Sequence, residues 1–130
     1  MRIYIASKYV DNKNINRNIA DALRENGYEV FLPETINIDA LDADSMTSVA
    51  ERCYQEIDMC DVIIFVYPFG KSVACEFGYT ISMKRLMKKD ITIISYAFIP
   101  DNEAMYTPYI DKKVDTITEL IKYLKTISKE

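Results

Sequence analysis

Residues 61–67, Asp-Val-Ile-Ile-Phe-Val-Tyr, place an unbroken apolar run behind a single acid. The run lacks the alternation of a strand with one wet face, and it is too short for a helix. It fits a strand covered on both faces, as in a parallel sheet flanked by helix layers. Parallel neighbours need crossover connections, so helices must alternate with strands along the chain. The sequence supplies that alternation. Arg2-Ile-Tyr-Ile-Ala6 opens the chain as a strand. Ile15, Ile19, Ala22 and Leu23 then recur at helical spacing until Asn26-Gly27 stops the helix. Glu29-Val-Phe-Leu32 reads as a second strand, ended by Pro33.

A polar stretch from Glu34 to Asp44 has no clear period and reads as a loop. Met46, Val49, Ala50, Cys53, Ile57 and Cys60 mark a second helix, with Asp44 or Ser45 expected as N-cap and Ser48 with Glu51 as a rival capping box. Ser72 to Met87 reads as a third helix, capped by Ser72, with Lys84, Arg85, Lys88 and Lys89 where cations suit the dipole. Ile91–Ala97 is a fourth strand, and Val114 marks a short fifth. Thr116-Ile-Thr-Glu119 is a capping box opening a last helix with core positions Ile117, Leu120, Ile121, Leu124 and Ile127. The expected architecture is a single α/β domain over residues 1–130: a three-layer, flavodoxin-like sandwich on a parallel five-stranded sheet of order 2-1-3-4-5. Ligands of such folds bind at the carboxyl ends of the strands flanking the topological switch point. Ile5 to Tyr9 and Tyr67 to Glu76 line that crevice.

Composition narrows the chemistry. The net charge is −4, with acids and bases interspersed, which argues against a nucleic-acid polymer or an anionic membrane as the main partner. The apolar run is far too short to cross a bilayer, and the first residues show no signal-peptide pattern. Three cysteines without metal-type spacing point to a reduced, cytoplasmic protein whose thiols pack on apolar helix positions. There is no histidine, so every histidine-dependent triad or base is excluded. Three glycines leave no place for a Walker loop or a GxGxxG turn. Chemistry must run on carboxylates, hydroxyls, phenols, thiols or lysines.

Glu76 is the acid that stands out, in the stretch Ser-Val-Ala-Cys-Glu-Phe-Gly-Tyr-Thr (72–80). With Ser72 as N-cap it lies about one turn in, where an acid complements the dipole by roughly 0.3–1 kcal/mol. A carboxylate aimed into the crevice is instead a nucleophile or an acid/base, and the residues leave both readings open. Ser7 and Lys8, with Lys71 and Ser72, offer two hydroxyls and two ammonium groups that would suit a phosphate; they serve equally as a capping serine and solvated lysines. Phe69 and Tyr9 would stack on a base, or cover the sheet ends.

Ile3-Tyr4-Ile5-Ala6, Gly27-Tyr-Glu-Val-Phe-Leu-Pro33, Asp61-Val-Ile-Ile and Glu76-Phe-Gly-Tyr-Thr-Ile-Ser82 followed by Lys84-Arg85 occur in this order. Together they resemble the nucleoside 2-deoxyribosyltransferase family over residues 1 to about 97. The resemblance implies that Glu76 is the nucleophile attacking C1′ of a deoxyribosyl group, and that Tyr4 helps set its position. It implies a nucleoside or nucleotide substrate, no cofactor or metal, and a homodimer or higher homo-oligomer, with residues 102–111 near the interface or the crevice mouth. The sequence departs from the family where an aspartate contacts the base, here Cys53, and where an acid precedes the nucleophile, here Gly70. Leaving-group protonation therefore lacks an assigned residue; Asp58, one turn past Cys53, and Glu34, at the carboxyl end of the second strand, are substitutes by position only. Hydrolysis of a nucleoside 5′-monophosphate is the rival within the enzymes. A non-catalytic nucleotide-binding module is the rival from outside the enzymes: the missing acids favour it, and retention of Tyr4 and Glu76 stands against it.

Overall fold

The computed structural model describes residues 1–8, 11–33, 43–97 and 105–128. Its strands are β1 (Arg2–Ala6), β2 (Glu29–Phe31), β3 (Val62–Val66), β4 (Thr92–Tyr96) and β5 (Lys112–Val114). Its helices are α1 (Lys13–Glu25), α2 (Ala43–Met59), α3 (Lys71–Leu86) and α4 (Ile117–Ile127). Every strand pairing is parallel, and the order is the expected β2-β1-β3-β4-β5. All five residues of β3 are buried, as its unbroken apolar run demands.

The pleat divides the core in two. Ile3 and Ile5 of β1, Val62, Ile64 and Val66 of β3 and Ile94 of β4 pack against α1 and α4. Tyr4 and Ala6 of β1, Ile63 and Phe65 of β3 and Ile93 of β4 face α2 and α3. Successive strand residues point to opposite faces, so Tyr4 is committed to the α2–α3 side once Ile3 and Ile5 join the other.

The structure departs from the sequence expectation at several places, each with a physical reason. Ile15 is exposed, while α1 buries Asn12, Asn16, Ile19, Ala20 and Leu23 along one stripe. Ile15 sits about a quarter-turn from the centre of that stripe. The asparagines take the inner positions because they tie down the β1–α1 connection: Asn12 Nδ2 donates to Ser7 Oγ at 3.0 Å and Asn16 Nδ2 to the Lys8 carbonyl at 3.4 Å. On α2, Met46 and Ala50 are exposed and Ile57 is the buried residue. At 17 residues α2 is ~25 Å long, against ~17 Å for a five-residue strand, so its first turns overhang the sheet. The helix begins at Ala43, which moves Asp44 into its first turn instead of the cap. Most of the polar stretch 34–44 lies outside the described residues.

Two further departures bear on the site. The N-cap of α3 is Gly70, in extended conformation, and the first helical bond runs from the Ala74 amide to the Gly70 carbonyl at 3.0 Å. Ser72 is therefore an exposed residue within the first turn. Of the three thiols only Cys60 is buried; Cys53 is partly buried and Cys75 exposed, so the packing role expected of all three fails at Cys75. At α4 the expected cap is present, with Thr116 Oγ1 accepting from the Glu119 amide at 3.1 Å.

Helix α3 ends with the Met83 carbonyl accepting from both Met87 and Lys89, which puts Lys88 between them at φ +56°. A residue with a Cβ pays about 1–2 kcal/mol for that left-handed conformation, and glycine is the usual occupant. Lys88→Gly is therefore expected to raise the unfolding free energy by roughly 0.5–1 kcal/mol, after the entropy glycine loses on folding. Urea denaturation measures it; a loss of stability contradicts the assignment.

Candidate active site

Tyr4 lies two residues before the end of β1, fully buried on the α2–α3 face. Its register opposite Ile63 of β3 sets its height in the sheet. Helix α3 starts at Gly70 and runs back across that face, which brings Glu76 to the Tyr4 hydroxyl; the phenol donates to Glu76 Oε2. Among the described residues of the first turn of α3 there is no acid, so Glu76 lies deeper than the sequence indicated. The dipole falls off within that first turn, so it does not account for a carboxylate here.

Burial is the main influence on both groups. It pushes the Glu76 carboxyl up to about 7, with the Tyr4 hydrogen bond pulling the other way. Burial first, then the Glu76 charge and the hydrogen bond, drive the Tyr4 hydroxyl far above the ordinary phenol range. The two effects of the bond agree: a donated phenolic proton favours an ionised carboxylate and a neutral phenol. The Tyr4 hydroxyl has a second neighbour in the Cys53 thiol, itself pushed up chiefly by burial and held neutral beside Glu76. Cys53, Tyr4 and Glu76 thus form one cluster drawn from α2, β1 and α3. At neutral pH it presents a carboxylate near its midpoint between two uncharged hydrogen-bonding groups.

The other residues singled out in the sequence sit in different settings. Ser7 receives the Asn12 amide, and Lys8 pairs with Asp11 at 2.7 Å. The Lys8 stem lies along Gly70 so closely that a Cβ there would meet Lys8 Cγ at 3.2 Å. This joins the ends of β1 and β3 at the crevice mouth, where Lys71 and exposed Ser72 begin α3. Phe69 packs edge-on against Phe65, Phe77 and Tyr106, which makes its ring part of the cover over the sheet end. Asp58 accepts from the Tyr79 hydroxyl at 2.5 Å on the seam between α2 and α3, apart from the Tyr4–Glu76 bond. Tyr9 and Glu34 lie outside the described residues. Among the described residues no three Cys, Asp or Glu side chains group as a metal site would need.

Sequence reading passed over Phe31 and Arg52. Phe31 stacks on the Tyr4 ring with centroids 5.4 Å apart, and the Arg52 guanidinium lies over Phe31 at 5.2 Å. The available signal was register: in a parallel β1–β2 pair the expected strand starts place residue 31 beside residue 4.

No family model and no curated protein matches the chain by sequence. Solved structures do match in shape. A 2-deoxyribosyltransferase from Bacillus psychrosaccharolyticus superposes with TM-score 0.71 over 92% of this chain and 90% of its own, at 16% identity. A conserved protein from Enterococcus faecalis V583 gives 0.67 over 97% and 98%, at 15% identity. A 2-deoxyribosyltransferase from Leishmania mexicana gives 0.63 over 98% and 99%, at 18% identity. Identities this low establish a shared fold.

The raised Glu76 carboxyl makes a stability prediction. The unfolded chain releases this proton near 4.5 and the folded one near 7, so the native state binds it more tightly between those values. Stability from this group is complete below pH 4.5, falls as pH rises to about 7, and is flat above. Glu76→Gln removes the fall. Above pH 7 the variant is expected to be more stable than wild type by about 1–3 kcal/mol, the two converging near pH 4. Thermal unfolding across that range checks the sign; a Gln variant destabilised at pH 8 contradicts it.

Proposed function

We propose that the protein breaks the N-glycosidic bond of a 2′-deoxynucleoside and transfers the 2-deoxyribosyl group to a second nucleobase, with Glu76 as nucleophile. The observation that carries the reading is the part-buried Tyr4–Glu76 hydrogen bond close to the carboxyl ends of β1 and β3. In the first step a Glu76 oxygen bonds to C1′ as the C1′–N bond breaks, and the base leaves with the bonding pair and takes a proton from water. In the second, a nitrogen of the incoming base attacks C1′, loses its proton to water and expels the carboxylate. One carboxylate acting twice retains configuration. Tyr4, kept neutral by burial, holds the attacking carboxylate through its hydrogen bond. The two 2-deoxyribosyltransferases with the same fold support the substrate class. Such transfer needs no cofactor. The same reading carries a homo-oligomer, to be checked by light scattering.

One observation favours a second reading, hydrolysis of a nucleoside 5′-monophosphate. The Lys8 stem lies against Gly70, the N-cap of α3 just before Lys71, and this helix start has no side-chain cap bond and no acid in its first turn. A helix start of this kind attracts phosphate. Incubation of deoxynucleosides with a foreign base, and of the monophosphates in water alone, separates the two by their products. Exchange products select transfer, and free base from the monophosphate alone selects hydrolysis. A nucleotide that binds without turning over in either arm leaves the binding module.

Loss of a covalent nucleophile is expected to lower turnover in Glu76→Gln by on the order of 10³-fold or more. Tyr4→Phe is expected to cost on the order of 10- to 100-fold. The wild-type rate should fall on acidification with a midpoint near 7, where Glu76 takes up its proton. Wild-type turnover in Glu76→Gln ends the assignment.

A further inference from the structure

We infer that Phe31 is a positioning residue for the Tyr4–Glu76 pair: its ring, clamped by Arg52, fixes the plane of the Tyr4 ring and so aims the Tyr4 proton at the carboxylate. The geometry begins with register. Tyr4 and Phe31 are opposite one another in the parallel β1–β2 pair, so both side chains leave the sheet on the α2–α3 face. Their rings stack with centroids 5.4 Å apart and planes 25° from parallel. The phenolic oxygen lies on the rotation axis of its own ring. Turning the ring therefore leaves the oxygen in place and swings the O–H, which conjugation holds in the ring plane. That torsion is intrinsically broad, and the stacking neighbour narrows it.

Phe31 is itself held. The Arg52 guanidinium lies over its ring at 5.2 Å. Arg52 Nε meets Glu56 Oε1 at 3.3 Å, and Glu56 Oε2 takes Arg2 Nη2 at the same distance. The Glu56 side chain is largely buried while both arginines reach solvent, so Glu56 is the fixed point of the two contacts. A cavity of about 220 Å³ by the amino ends of β1 and β2 is lined by these same groups, Arg2, Phe31, Arg52 and Glu56. One side of the clamp therefore borders open space. Packing alone does not fix Phe31, and the cation above it matters. Cys53, next to Arg52 on α2, meets the hydroxyl end of Tyr4, so α2 steadies Tyr4 at the oxygen and, through Phe31, at the ring.

The inference rests on the reading of Glu76 as the reacting carboxylate for its effect on rate, while its test stands apart from activity. The titratable groups around Glu76 are Tyr4 from β1, Cys53 and Tyr54 from α2, and Cys75 before it on α3, with Arg52 and Glu56 beyond Cys53. The Glu76 carboxyl is titrated by carbon NMR in the full-length chain labelled at glutamate, with Glu76→Gln identifying its signal. Wild type, Phe31→Ala, Tyr4→Phe and the double variant are compared. A misaimed Tyr4 proton stabilises the carboxylate less, so Phe31→Ala and Tyr4→Phe are each expected to raise the midpoint by about 0.5–1 pH unit. The double variant should match Tyr4→Phe alone, because Phe31 acts through the hydroxyl that is already gone. Phe31→Leu keeps apolar volume without a flat face; it should shift the midpoint in the same direction if the alanine variant folds poorly. Phe31→Tyr should restore the wild-type value. An unchanged or lowered midpoint in both Phe31→Ala and Phe31→Leu overturns the inference, as does an equal shift on the Tyr4→Phe background. If wild type turns over no nucleoside or nucleotide, the functional reading falls and the titration still decides this one.

Discussion

Burial of β1 and β3 on both faces is the constraint from which the rest of the structure follows. A strand with no wet face is stable only inside a parallel sheet with helices on either side, and those helices must come from the crossovers between strands. Because β1 pairs with both β2 and β3, the chain reverses direction at β1, and the connections diverge at the carboxyl ends of those strands. The crevice is a consequence of that topology. Its chemistry depends on what the strands carry at their last residues and on which helix passes beneath.

Placing a tyrosine on the inner face of β1 makes a second demand. A buried hydroxyl without a partner costs about 1–3 kcal/mol, and the apolar residues around Tyr4 offer none. Glu76 satisfies it, but the arrangement moves the cost onto the carboxylate, which is desolvated in turn. Two polar groups each uncomfortable alone are tolerable together, and the result is an acid balanced between its charged and neutral forms at physiological pH. Perturbed carboxylates of this kind collect at functional sites. Stability is given up to keep one here.

The aromatic neighbours form a graded boundary around that pair. Phe65, Phe77, Phe69 and Tyr106 pack edge to face or stacked over β3 and β4, closing the core on that side. On the β2 side, among the described residues, the Tyr4 ring is covered by Phe31, topped by a guanidinium. Tyr54 and Tyr79 pack together on the outer seam, where Tyr79 engages Asp58. Asp58, the positional substitute for the missing leaving-group acid, thereby bridges α2 and α3. Cys53 takes the inner place on α2, where its neutral thiol sits beside the phenol.

The pairing of Tyr4 with Glu76 entered the sequence reading only through a family resemblance; what the sequence by itself determined is the order of elements and the parallel sheet with its strand order. Those properties follow from local signals: apolar runs fix strands, turn and cap residues fix their ends, and handedness fixes the crossovers. Tertiary structure alone decided which face each helix turns inward. Ile15 looked like a core residue and is exposed, while Asn12 and Asn16 are buried because the folded β1–α1 connection gives them partners in the Ser7 hydroxyl and the Lys8 carbonyl. A helical period marks a stripe but leaves its centre free by a quarter-turn, and only packing removes that freedom. The depth of Glu76 was likewise undecided in sequence, since Gly70 and Ser72 are both acceptable caps and the Lys8 stem against Gly70 comes from the connection after β1. Phe31 and Arg52 were invisible for the same reason: stacking and cation contacts join residues far apart in the chain, and no local pattern encodes the distance between them.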